Sequence, residues 1–218
     1  MPSSHFHQLS TILELIIYTN PQSILDIGVG FGKYGLLARE YLEIWGPNST
    51  LNQWERKIDG IEAFEDYLTP THSYIYDQIF IGDAREILGG LNSDYDLILL
   101  IAVLEYLDHA SGIELIENCL RVSRNILIST DKSLRPTTNP FGNPFEAKKF
   151  LWEKRQFAFP TNRFFVADPI GDTLICFSGT DLPQVKKAYK WTKVKSRVNM
   201  FLPFIHGLRK IRNRSAKR

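Results

Sequence analysis

The sequence predicts an α/β protein built on a doubly wound, mostly parallel seven-stranded sheet with an antiparallel edge hairpin. Three features predict it. The short apolar run Ser23-Ile24-Leu25-Asp26-Ile27 passes straight into glycines at every second position in LDIGVGFGKYG, residues 25–35. Apolar runs and amphipathic segments then alternate along the chain, the pattern of strand–helix–strand units. The last two apolar runs, 163–168 and 173–178, meet through Asp168-Pro169-Ile170-Gly171-Asp172, a turn short enough for a hairpin.

Taken in order, residues 9–18 carry apolar side chains at 9, 12, 13, 16 and 17, which is helical spacing, and Asn20-Pro21 ends the helix. The strand at 23–27 follows. Residues 33–41 predict a helix with Leu36, Leu37 and Tyr41 on one face. Trp45 to Lys57 contains Gly-Pro-Asn-Ser and predicts a loop or insertion. Residues 57–62 form the second strand, 67–76 a helix broken at Pro70, and 78–81 a third strand ending at Gly82-Asp83. The fourth strand, 97–101, is apolar at every position, as a parallel strand buried on both faces should be. Residues 111–122 predict a helix with Ser111 as its N-cap, and 125–130 the fifth strand. A long polar and aromatic connection, 131–160, leads to the hairpin.

Composition narrows the class of protein. Hydrophobic residues at 44% and charged residues at 23% exclude wholesale disorder. The longest apolar run, Leu97–Leu104, is too short to cross a bilayer as a helix. MPSSHFHQLS lacks the basic and apolar regions of a secretory signal, so cytoplasm is the expected location. Cys119 and Cys176 are expected to be buried free thiols. His5, His7, His72 and His109 show no metal-ligand spacing, so no metal is expected.

The net charge of +2 conceals a division. Residues 1–184 hold 14 Lys/Arg and all 24 Asp/Glu; residues 185–218 hold 12 Lys/Arg and no acid. This predicts a ligand-binding domain over 1–184 and a basic amphipathic tail over 185–218. Within the tail, 198–208 is apolar and aromatic between two cationic blocks, with Pro203 breaking any single long helix. An anionic membrane surface, at the inner face of the membrane, or a protein surface is the expected partner. Nucleic acid ranks lower, since a phosphate-binding domain should not itself be strongly acidic.

The glycine turn carries the chemistry. Glycine permits positive φ and close approach of a ligand to the backbone. The dinucleotide fingerprint G-x-G-x-x-G fits imperfectly, because Lys33 stands where its third glycine belongs. The acid followed by G-x-G-x-G, here Asp26-Ile27-Gly28-Val29-Gly30-Phe31-Gly32, resembles the first motif of class I S-adenosylmethionine-dependent methyltransferases. The resemblance covers residues 5–180. Glu62 in IDGIEAF matches the family's acid at the end of strand two, Gly82-Asp83-Ala84 its third motif, and Tyr95-Asp96-Leu97 with Ala102-Val103-Leu104-Glu105-Tyr106 its fourth. Ala102 stands where an Asp is common, and Tyr106 where a His is common. NPFGNPFEAKKFLW, residues 139–152, resembles a stretch of some bacterial members, with Lys148 in place of a His.

The resemblance implies a Rossmann-like methyltransferase fold and S-adenosylmethionine as cofactor. Its binding residues would be Asp26, Gly28, Gly30, Gly32, Glu62, Asp83 and Ala84, with Ile101 and Ala102 near the methionine end. Glu62 would hold the ribose hydroxyls and Asp83 would lie near the adenine amino group. Phe31 or Tyr34 would face the sulfonium. The acceptor would be a small molecule or a sugar- or lipid-linked group. Two alternatives stand beside this: a catalytically inactive cofactor-binding scaffold, and an RNA methyltransferase that uses the tail. No catalytic base is assigned. Glu105 reads as a surface cap or ion pair, and Trp152, Phe157 and Phe159 either line an acceptor pocket or anchor their loop to the core.

Overall fold

The computed structural model describes residues 4–45, 53–92, 94–133, 141–157, 162–167 and 171–195. Its strands are β1 (Ser23–Ile27), β2 (Lys57–Glu62), β3 (Gln78–Ile81), β4 (Leu97–Ile101), β5 (Asn125–Asp131), β6 (Arg163–Ala167) and β7 (Thr173–Gly179). They form one sheet in the order β3-β2-β1-β4-β5-β7-β6. The first five strands pair in parallel, and β7 runs antiparallel to both neighbours. The expected hairpin is therefore present, with its later strand placed inside the sheet; residues 168–170 of its turn lie outside the described residues.

The side-chain period of a strand explains the two cores. In β4, Leu97, Leu99 and Ile101 face one core while Ile98 and Leu100 face the other. The first core is closed by the helices α1 (Leu9–Thr19), α2 (Lys33–Arg39) and α3 (Pro70–Ile75). The second is closed by α4 (Ala84–Gly90) and α5 (His109–Arg121) together with Trp152 and Phe157. Each fully buried Leu or Ile contributes about 1.5–3 kcal/mol, so β4 is the sheet's apolar spine. Trp152 and Phe157 are anchors of their loop, 1% and 0% exposed, and do not line the cavity; Phe159 lies outside the described residues.

Several helices differ from the expected ones for local reasons. Pro70 opens α3 at its first position, where its missing N–H costs nothing, so it does not break a helix. Asp108 caps α5 by accepting from Ser111 N–H at 3.0 Å, which puts Ser111 inside the helix as a donor. The buried side of α2 is Tyr34, Gly35, Ala38 and Arg39, whereas Leu36 and Tyr41 are exposed. A buried arginine disguises that side: the Arg39 guanidinium donates to Ile75 O at 2.8 Å, Glu43 at 2.7 Å and Asp77 at 2.9 Å. Helix α4 was not expected, because Gly89-Gly90 weakens the helical pattern; Asp83 starts it by accepting from Arg85 N–H at 2.9 Å.

Residues 182–195 form a last helix, α6, so the boundary expected between 184 and 185 falls within a helix. Leu182 and Val185 join the first core. Tyr18 donates to Thr192 at 2.8 Å and Lys193 pairs with Glu14 at 3.0 Å, which docks α6 on α1. Residues 196–218, with the expected apolar segment and Pro203, lie outside the described residues. No helix among the described residues is long and apolar enough to cross a membrane. Cys119 and Cys176 are buried free thiols, and burial pushes Cys176 up to about 12.

Candidate functional site

A cavity of about 380 Å³ opens at the carboxyl ends of β1, β2, β3 and β4, where open parallel sheets place their ligands. The β1–α2 turn supplies Gly28, Val29, Gly30, Lys33 and Tyr34. The end of β2 supplies Glu62 and Ala63; the end of β3 supplies Gly82, Asp83, Ala84 and Arg85; the end of β4 supplies Ile101, Ala102, Val103 and Tyr106. Ser4, Tyr67, Asn143, Phe145, Glu146 and Lys149 also line the cavity, over an apolar floor that includes Ile27, Ile61, Leu107 and Leu115.

The alternate glycines follow from backbone conformation. Gly28, Gly30 and Gly32 have φ of 74°, 53° and 78°, which side-chain-bearing residues rarely adopt. At Gly28 a Cβ would also lie 2.8 Å from Val103 Cγ2, so the turn packs directly on the segment after β4. Gly30 is held from both sides. Its N–H donates to Glu62 Oε2 at 2.9 Å, and its carbonyl accepts from His72 Nε2 at 2.9 Å. His72 Nδ1 then accepts from Thr69 N–H at 3.0 Å, which makes His72 a buried brace for the turn. Glu62 Oε1 accepts from Phe64 N–H at 3.0 Å, and burial pushes this carboxyl above its ordinary value.

Asp26 and Gly32 do not line the cavity. The Asp26 carboxylate lies beneath the turn, 3% exposed, accepting from Tyr76 Oη at 2.7 Å. Desolvation there raises it to about 6. Gly32 caps α2 in the left-handed conformation. Phe31 is also outside the wall; it is half exposed and packs edge-on against Tyr67 with ring centroids 5.7 Å apart. Asp83 is in the wall, but Arg85 grips its carboxylate, donating to Oδ1 at 3.0 Å and holding it below the usual carboxylate range. Ala102, the residue just after β4, sits in the left-handed region with φ of 58°, its N–H donating to Ser129 O at 2.8 Å.

The part of the wall formed by Tyr67, Asn143 and Glu146 was least visible in the sequence. Tyr67 Oη donates to Glu146 Oε1 at 2.6 Å and is also bonded by Asn143. Burial and the neighbouring carboxylate raise Tyr67 to about 12. Asn143 and Glu146 are both 5% exposed. Both belong to the NPFE stretch at 143–146, so the signal was the motif, not any expectation about single residues. Its backbone continues into a clamp on the turn after β4: Lys149 N–H donates to Glu105 O at 2.7 Å, and the Trp152 indole N–H to Leu104 O at 3.0 Å.

Glu105 itself is buried, contrary to the expectation of a surface group. It is 1% exposed, accepts from Thr130 Oγ1 at 3.1 Å, and is raised to about 7 chiefly by desolvation. Lys148 pairs with Asp131 and is not part of the wall. No cluster of three metal-ligating side chains occurs among the described residues.

No family model matches the chain, and no curated protein matches it by sequence. Solved structures do. An O-methyltransferase family protein from Burkholderia thailandensis is 13% identical at a TM-score of 0.57 over 79% of this chain and 55% of its own. PigF, solved with S-adenosylhomocysteine, is 15% identical at 0.53 over 79% of this chain and 55% of its own. A S-adenosylmethionine-dependent methyltransferase from Archaeoglobus fulgidus is 15% identical at 0.50 over 72% of this chain and 86% of its own. The chain spans just over half the length of the first two. With the strand order, these likenesses define the fold: it is that of the class I S-adenosylmethionine-dependent methyltransferases.

Proposed function

We propose that the protein is an S-adenosylmethionine-dependent methyltransferase acting on a small-molecule or sugar- or lipid-linked acceptor. The carrying observation is the Gly30–Glu62 pair, which presents a buried carboxylate in the wall of a cavity bordered by a left-handed glycine turn. A side chain at Gly28 would collide with Val103, so the turn keeps this wall as bare backbone. The cavity also lies within the size range of small-molecule and cofactor sites. These features fit the S-adenosylhomocysteine bound to PigF and the S-adenosylmethionine named for the Archaeoglobus protein.

In this reading Glu62 holds the ribose hydroxyls, Asp83 and Ala84 border the adenine, and Gly28, Gly30, Ile101 and Ala102 approach with backbone atoms. Asp26 and Gly32 support the turn from below. When bound, the cofactor would supply a methyl group already activated by its sulfonium. The chain needs to add little beyond placement and exclusion of water, and placement alone contributes about 7–11 kcal/mol. Glu146, with Tyr67 and Asn143 beside it, is the wall group suited to receive the proton of an oxygen or nitrogen acceptor.

This carboxylate favours an enzyme over the inactive scaffold that Ala102, Tyr106 and Lys148 raise as an alternative. The test is formation of S-adenosylhomocysteine from S-adenosylmethionine with fractionated small-molecule and lipid extracts. Acceptor-dependent product that Glu146→Gln lowers by about 100-fold supports the reading. Cofactor binding with no turnover on any fraction supports the scaffold.

A further inference from the structure

We infer that the outward face of α6 is a docking surface for an anionic lipid bilayer. The periodicity of the helix, residues 182–195, divides it lengthwise. Leu182 and Val185 enter the first core, Tyr189 packs edge-on against Phe164 with ring centroids 5.9 Å apart, and Thr192 and Lys193 bond to α1. Lys187, Lys190, Trp191, Val194 and Lys195 are left exposed at three- and four-residue spacing, so they share the opposite face. Trp191 is 69% exposed and Val194 52%.

The charge of this face is of one sign. Among the described residues Lys187, Lys190 and Lys195 have no ion-pair partner. The other lysines of the helix are engaged: Lys193 by Glu14, the one acid of α1, and Lys186 by the Phe164 ring, 5.5 Å from its ammonium. The sequence from 182 to 218 contains no acid, and residues 196–218 add seven Lys/Arg. Each basic residue held near an anionic bilayer strengthens binding about fivefold.

The apolar part of the face distinguishes a bilayer from other polyanions. Trp191 joins a large apolar ring to a polar N–H, which suits the boundary between headgroups and acyl chains. Val194 lies one turn further on, and the flanking lysines can bury their stems while their ammonium groups reach lipid phosphates. This is the pattern of a helix that lies in a membrane interface. A nucleic acid would stack on Trp191 but would offer nothing apolar to Val194 or to the apolar sequence at 198–208. Residues 1–184 carry 14 Lys/Arg against 24 Asp/Glu, so an anionic surface attracts α6 and repels the rest of the domain, which fixes the orientation of docking. The inference is independent of the methyl-transfer reading.

The experiment is sedimentation of the whole chain with vesicles of phosphatidylcholine alone, or of phosphatidylcholine mixed equally with phosphatidylglycerol. Binding is expected only to the anionic vesicles and should fall as salt is added. The double variant Lys187→Gln, Lys190→Gln should weaken it by about 10- to 30-fold, and Trp191→Ser by about 10-fold. Fluorescence gives a second readout: lipids brominated in their acyl chains should quench the unaltered protein, and Trp191→Phe should remove that quenching. Equal binding to both kinds of vesicle, or binding to neither, overturns the inference without any variant. Variants that bind as the parent does, or quenching that survives Trp191→Phe, also overturn it. Binding of a mixed-sequence single-stranded RNA but not of the anionic vesicles would assign the face to nucleic acid instead.

Discussion

Tyr76 Oη donates to Asp26 Oδ2 at 2.7 Å, joining the residue after α3 to the penultimate residue of β1 beneath the glycines. This bond is what Asp26 contributes in the described fold: a buried support for the turn above it.

Removing the donor with Tyr76→Phe leaves a buried carboxylate less satisfied. The expected loss is about 1–3 kcal/mol in urea unfolding, and it should be larger at pH 8 than at pH 5. Asp26 is raised to about 6, so at pH 5 it is mostly protonated in the fold and depends less on a donor. A loss that is the same at both pH values contradicts this assignment.

Glu105→Gln is expected to stabilise the protein in a pH-dependent way. The folded carboxyl is raised from 4.5 to about 7 by burial, so its cost is absent below pH 4.5 and grows as pH rises through 7. Relative to the parent, the variant should gain on the order of 3 kcal/mol between pH 4.5 and 8. Chemical unfolding across that range measures it, and a flat difference would show that Glu105 is not buried as a charge.

Gly112 underlies the loop that closes the cavity. A Cβ there would lie 2.2 Å from Trp152 Cζ2, so Gly112→Ala must displace the indole that is bonded to Leu104 O. Despite alanine's better helix propensity, a net destabilisation of about 1–3 kcal/mol is expected. Unfolding with tryptophan fluorescence reports both the loss and the moved indole. An unchanged or raised midpoint would mean that Trp152 is not packed on α5.

All seven strands were legible in the sequence because most are short runs bounded by Gly, Pro or Asp, β4 is apolar throughout, and β1 and β5 are buried along nearly their whole length. Ser23–Ile27, Lys57–Glu62 and Gln78–Ile81 match residue for residue. Helix faces were less legible where a charged residue is buried. Arg39 in α2 satisfies its guanidinium on backbone and carboxylates from distant segments, which periodicity does not encode. Asp26 is a similar case: a carboxylate beside a glycine motif looks the same in sequence whether it faces the ligand or supports the turn. Tyr67, Asn143 and Glu146 are brought together by a connection without regular structure, so no spacing rule predicts their contact.

Thermal unfolding of the protein and of Glu62→Ala, with S-adenosylhomocysteine or NAD added separately, tests the central claim most directly. At 100 times its dissociation constant a ligand adds about 2.7 kcal/mol, or roughly 5–10 °C for a domain of this size. The account predicts that shift with S-adenosylhomocysteine, most of it lost in Glu62→Ala. A shift with NAD alone, or none with either ligand, would contradict it.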